Sequence, residues 1–162
     1  MFLVKRLAGQ AINQHGIDLG FGLAVDSQGR LVVAGHSRQG GGTGADFTIA
    51  RLTDAGALDL DFDADGRQTV DFGRTHDFGL GAAVDSRDRI LLVGYSFQGN
   101  TRGWDFASAR LAVNGSLDIT FTPDGTQTTD FGSTWEFGSA VTIVQRGKQL
   151  LGNEDADVAV EV

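Results

Sequence analysis

The chain has 162 residues, 41% apolar and 21% charged, which suits one globular domain with a sizeable core and argues against a disordered segment. Lys and Arg number 13 against 21 Asp and Glu, a net charge of −8 with no basic stripe, so nucleic acid and anionic membranes are excluded as partner classes. Cysteine is absent, which removes disulfide frameworks and thiolate zinc sites.

The 24 glycines stand beside a single proline and no G-X-Y period, which predicts many tight turns and bulges and not a collagen or a stiff linker. Eleven phenylalanines supply bulk for a β core. Residues 1–17 read as an N-terminal strand or connection, with Phe2–Ile12 ahead of the first recognisable unit. Lys5 and Arg6 interrupt the apolar start too early for a signal peptide. Retention inside the cell and a signal lying further upstream both stay open. No apolar run approaches the ~18 residues of a membrane span, so no membrane insertion is expected.

From Asp18 onward the chain repeats itself. Asp46-Phe47 recurs as Asp105-Phe106, a shift of 59 residues, and Gly44–Leu80 matches Gly103–Ser139 at 20 of 37 positions without a gap. The same shift aligns Asp18–Gly44 with Asp77–Gly103 at 13 of 27 positions. Repeat 1 is therefore 18–76 and repeat 2 is 77–135, with 136–162 a degenerate, incomplete third repeat. Alternating or short wholly apolar runs predict strands at Phe21–Asp26, Arg30–His36, Phe47–Thr53 and Arg67–Phe72. Their counterparts in repeat 2 are Leu80–Asp85, Arg89–Tyr95, Asp105–Ala112 and Thr126–Phe131. Polar turns such as Ser86-Arg87-Asp88, Asn114-Gly115 and Asp124-Gly125 separate them.

In the third unit Val144-Gln145 stands where Asp85-Ser86 stood, and Leu150-Leu151-Gly152 aligns with Leu92-Val93-Gly94 only after a deletion. Asp157–Val162 reads as a third strand. The fold class that follows is all-β, with about 2.7 β-propeller blades of four antiparallel strands each, forming an open arc or partial propeller in a single domain over 1–162. A β-sandwich, the structural rival, gives no reason for a strict repeat.

The run Asp105-Phe106-Ala107-Ser108-Ala109-Arg110-Leu111, followed by Asn114-Gly115-Ser116-Leu117-Asp118, Asp124-Gly125 and Thr129-Asp130-Phe131-Gly132, resembles the bacterial delta-60 repeat. Ala83-Val84-Asp85 leading to Ile90-Leu91-Leu92-Val93-Gly94-Tyr95-Ser96 does so too. The resemblance covers about Asp18 to Ile143. It implies a β-propeller, often in large secreted or cell-surface proteins, with no general enzymatic assignment. Ala24–Val33 is also similar to the inner-strand pattern of NHL and lactonase-type propellers.

Less than a full ring of blades implies further blades or closure by self-association, with Phe2–Ile12 of one chain as an edge strand for another. Residues that recur in both units are what a blade requires, whereas a single binding site should break the repeat. On that rule Asp46/Asp105, Arg51/Arg110, Asp59/Asp118 and Asp71/Asp130 read as turn caps and Asp–Arg pairs. His36 becomes Tyr95 and His76 becomes Trp135, and both variable columns lie at blade ends, where propellers dock ligands. His36, Tyr95, His76 and Trp135, with Trp104 and Phe97, are the candidate recognition surface for a protein or carbohydrate ligand.

Asp59, Asp61, Asp63 and Asp65 alternate ahead of Gly66 like the start of a calcium loop, which makes calcium the one candidate cofactor. Phe72 occupies the place of the bidentate Glu that an EF-hand requires. Asp61 and Asp63 also become Thr120 and Thr122, so a solvated acidic turn is the competing reading. Gly40-Gly41-Gly42-Thr43-Gly44 lacks the Lys-Ser/Thr ending of a phosphate loop, and a strand, not a helix, follows it.

His15, His36 and His76 are too scattered for a metal centre. Asp26 and Asp85 end inner strands, and a metal-dependent lactonase or hydrolase is the alternative to a non-catalytic scaffold or binding module. Against it, no G-x-S-x-G elbow occurs, and Val144 replaces the acid in the third unit.

Overall fold

Short apolar runs broken by Asp, Asn and Gly turns give ten strands and no helix among the described residues. The computed structural model describes residues 18–38, 44–73, 76–132, 134–144 and 157–161, with backbone alone for Asp18, Val144 and 157–161. In the first blade β1 (Asp18–Val25), β2 (Leu31–Arg38), β3 (Ala45–Leu52) and β4 (Arg67–Val70) pair in chain order, each pair antiparallel. The second blade repeats this with β5 (Asp77–Val84), β6 (Ile90–Phe97), β7 (Trp104–Leu111) and β8 (Thr126–Thr129).

The registers match residue for residue at the 59-residue shift. Asp18 faces Ser37 as Asp77 faces Ser96, and Ser37 faces Asp46 as Ser96 faces Asp105. Each inner strand also bulges at the same place, between Gly20 and Gly22 and between Gly79 and Gly81. Gly35 and Gly94 on the neighbouring strands make this possible, because a Cβ there would collide with the carbonyl oxygens of Leu19 and Phe78.

The blades stack face to face. Val32, Ala34, Phe47, Ile49, Phe62 and Val70 of the first share one core with Ile90, Leu92, Ala107, Ala109 and Leu111 of the second, and Ala82 and Val84 pack against it. On its other face the second blade sets Leu91, Val93 and Phe106 against Val141. Polar groups lock the first junction as well. Ser27 donates through its amide and hydroxyl to Asp88 (2.9 and 2.6 Å), the Asp63 amide to the Asn114 carbonyl (2.8 Å), and Arg51 Nη1 to the Val113 carbonyl (2.5 Å). Successive four-stranded antiparallel sheets of this kind are propeller blades, and here they form an open arc, not a closed ring.

Strand ends differ from the sequence expectation for local reasons. β4 and β8 stop at Val70 and Thr129 because Asp71 and Asp130 accept the Gly73 and Gly132 amides (2.6 and 2.7 Å) and turn the chain there. In the third unit β10 (Asp157–Glu161) pairs directly with β9 (Ala140–Val144), so it occupies a second strand's place beside the inner strand and not a third strand's. Phe2–Ile12, His15, Gly40–Thr43 and Leu150-Leu151-Gly152 lie outside the described residues. Among the described residues no helix is long and apolar enough to cross a membrane.

Candidate functional site

The aromatic columns lie at the blade end where β2 and β6 finish. His36 and Tyr95 stand two residues before the ends of these strands, Phe97 closes β6, and Trp104 opens β7. The connections into the next blade return beside the same edge, His76 bridging Ala45 and Trp135 bridging Trp104. All six predicted aromatic and imidazole residues therefore meet in one array that crosses the blade junction. Tyr95 and Phe97 lie 5.3 and 5.1 Å from Trp104 by ring centroids, and His76 and Trp135 each lie 6.4 Å from it. His36 joins through Phe78, at 4.6 Å.

Phe78 is the hub, touching His36, His76, Tyr95 and Trp104, and it was not among the candidates. Phe21 and Phe137 extend the array at its two ends, 5.4 Å from His36 and 4.6 Å from Tyr95. The Phe137 end is open: Trp135 is 65% exposed and Phe137 43%. Burial holds the His36 imidazole below its ordinary pKa and raises the Tyr95 phenol, so both rings are neutral near pH 7. His36 Nδ1 is buried with no hydrogen-bond partner.

The loop acids behave differently from a calcium cage. Asp59 is buried and turns inward, its Oδ2 2.7 Å from Arg51 Nε and 3.3 Å from Arg30 Nη1. The Arg67 amide donates to Asp65 Oδ1 (2.9 Å), just as the Thr126 amide donates to Asp124 Oδ1 (3.0 Å), so the recurring Asp-Gly is a turn in both blades. Asp61 and Asp63 are exposed, and Asp59, Asp61, Asp63 and Asp65 bring no three carboxylates together.

The inner-strand acids are equally committed. Asp26 Oδ1 accepts the Gln28 and Arg30 amides (3.0 and 2.9 Å) and its Oδ2 the Arg30 Nε (2.6 Å); Asp85 repeats this with Arg87 and Arg89. Both hold turns. Arg51 and Arg110 pair with Asp59 and Asp118 at 2.7 and 2.8 Å, as their recurrence predicts.

The carboxylates that do converge lie at the blade junctions. Asp46 on β3, Asp71 after β4 and Asp77 at the start of β5 place oxygens within 4.8 Å of one another. Asp105, Asp130 and Glu136 repeat the arrangement one blade on. Asp46, Asp77, Asp105 and Glu136 are buried, while Asp71 and Asp130 face solvent. Burial, with the charges of Asp71 and Asp77 added, pushes the Asp46 carboxyl up to about 6, and burial likewise raises Asp77 and Asp105. Neither a protein-family model nor a curated protein matches the chain.

Proposed function

We propose that this protein is a non-catalytic propeller module of the delta-60 repeat kind, a scaffold whose junction-spanning aromatic array binds a ligand. The observation that carries this reading is the meeting of His36, His76, Tyr95, Phe97 and Trp135 around Phe78 and Trp104. Flat apolar rings at a half-open surface suit a carbohydrate ring or an aromatic-rich protein segment. The turn-holding bonds and Arg partners of Asp26 and Asp85 support a binding module over a hydrolase, since both acids are engaged in holding turns.

Tryptophan fluorescence titrated with a panel of oligosaccharides and peptides tests the reading. A saturable change that Trp135→Ala weakens at least about tenfold is expected. Metal-dependent lactone or ester turnover, with no ligand affecting the tryptophans, would overturn it.

A specific feature also favours association with another blade. Phe21, Leu23 and Val25 are 47%, 51% and 59% exposed, yet they stand at the repeat positions of Leu80, Ala82 and Val84, of which Ala82 and Val84 pack on the first blade's core. A blade supplied by a second copy of the chain fits that face, because the first blade already covers its repeat.

A further inference from the structure

Three carboxylates crowd each blade junction, and hydrogen bonding does not account for the burial of Asp46 and Asp105. Asp46 is 5% exposed and its Oδ1 accepts no hydrogen bond. Asp105 is fully buried, and neither of its oxygens accepts one. Arg102 Nη2 approaches Asp105 Oδ2 to 2.7 Å without hydrogen-bond geometry, from an exposed side chain that also lies 3.5 Å from Asp130. A buried carboxylate with no donors is costly, and native structures keep such a group where a proton or a cation compensates it.

We propose that each junction is a binding site for a hard divalent cation, calcium by its chemistry, held by Asp46, Asp71 and Asp77 in the first and by Asp105, Asp130 and Glu136 in the second. The donor set is all oxygen, with the three oxygens of each set within 4.8 Å of one another, and three carboxylates at one point suit calcium better than magnesium, which is usually bound through one or two. Two of the three acids in each set are buried and one is exposed, which leaves room for water ligands and a route in from solvent.

The third acid of each set is pre-aimed. Asp77 accepts the Ser96 hydroxyl on Oδ1 and the Phe72 amide on Oδ2 (2.9 Å), and Glu136 accepts the Phe131 amide on Oε1 (2.8 Å). These bonds fix the carboxylates while leaving lone pairs for a metal. Because two ligands come from one blade and the third from the next, the ion ties neighbouring blades together. Asp46 and Asp71 recur as Asp105 and Asp130, and where Asp77 changes it becomes Glu136, still a carboxylate. Arg102 competes for the second site, and the sequence has Thr43 at that position in the first, so the first site is the tighter.

Calorimetry and terbium luminescence on the chelator-treated full chain at about pH 7.5 test this, with calcium as the competing ion. Trp104 and Trp135 precede ligands of the second site and serve as its luminescence antennae. One ion per junction is expected, with a melting-temperature rise of about 5–10 °C in millimolar calcium and a smaller one in magnesium. Asp71→Asn should abolish one class of site and Asp130→Asn the other; both acids are exposed, so the fold survives their loss. Arg102→Thr should tighten the second. Asp61→Asn with Asp63→Asn should change nothing. Absence of saturable calcium binding, or its loss in the Asp61/Asp63 variant but not in Asp71→Asn and Asp130→Asn, would overturn the proposal. So would an Asp46→Asn variant that is stabilised equally with and without calcium, since the acids then share only a proton.

Discussion

Replacing Arg51 with Met isolates what a buried ion pair contributes at a blade junction. Arg51 is 2% exposed, pairs with Asp59 at 2.7 Å, donates across the junction to the Val113 carbonyl at 2.5 Å and lies over the Phe62 ring at 4.7 Å. Removing one partner of a buried pair costs roughly 3–5 kcal/mol, because the other charge stays buried. Asp59 keeps Arg30 at 3.3 Å, which places the loss near the lower end, about 3 kcal/mol.

The repeat supplies an internal control. Arg110 makes the same pair with Asp118 at 2.8 Å, but its side chain is 16% exposed and its further donor bond goes to the Thr120 hydroxyl within its own blade. Arg110→Met should cost only about 1–2 kcal/mol. Urea unfolding at neutral pH separates the two variants, and at about 2–4 °C per kcal/mol the Arg51 variant should melt about 6–12 °C lower. Burial opposes ionisation of Asp59, but the Asp61 amide and Arg51 more than offset it and hold its pKa below the ordinary value. Its contribution is therefore present above the ordinary carboxylate range and is lost as pH falls through the depressed folded value. The Arg51→Met variant should show a weaker loss of stability in acid. Equal losses in the two variants, or an Arg51→Met cost under about 1 kcal/mol, would refute the reasoning.

Other perturbations test other parts of the structure. In chelator, the Asp46 carboxyl at about 6 in the folded chain, against 3.8 ordinarily, makes stability fall as pH rises from about 4 to about 6, by up to about 3 kcal/mol; calcium should cancel that slope in a chemical-denaturation series. Gly35→Ala drives a Cβ into the Leu19 carbonyl and should cost about 3 kcal/mol or more, whereas Gly29→Ala, at φ 78° with open space around it, should cost about 1 kcal/mol. Leu23→Lys should abolish concentration-dependent association in light scattering while leaving the melting temperature nearly unchanged, since Leu23 is half exposed.

The blades were legible because one sheet is written twice. Asp46-Phe47 and Asp105-Phe106 fix the repeat, and the eight strands of the two blades fall within a few residues of their expected places. Asp71 and Asp130 read as turn caps and do cap Gly73 and Gly132; what the pattern did not carry was that the strands stop before them, and the direct pairing of β10 with β9.

At the aromatic surface, the variable columns His36/Tyr95 and His76/Trp135 pointed to one blade end, and that is where the rings meet. Phe78 stands where the first unit has Leu19, a change that breaks the repeat and was the available signal, but it lies near the start of β5, not at the end of a second strand or in a connection, where ligands were expected. The junction acids escaped because they recur. Asp46/Asp105 and Asp71/Asp130 looked like turn and pairing residues, and the third member changes from Asp77 to Glu136. That exchange of one carboxylate for another was the available signal, but only three-dimensional proximity joins residues from β3, the loop after β4 and the following blade.

The stacking of consecutive repeats is the central claim, and the cysteine-free chain allows a direct measurement. Ser27→Cys with Asp88→Cys, and Asp63→Cys with Asn114→Cys, place thiols where the first two blades hydrogen-bond to each other. A short bifunctional thiol reagent should link each pair within one chain, and Asp54→Cys with Asp124→Cys should serve as the unlinked comparison. Efficient intramolecular linkage of both junction pairs is the predicted result. Linkage of neither, or only between chains, would contradict the stacked-blade structure.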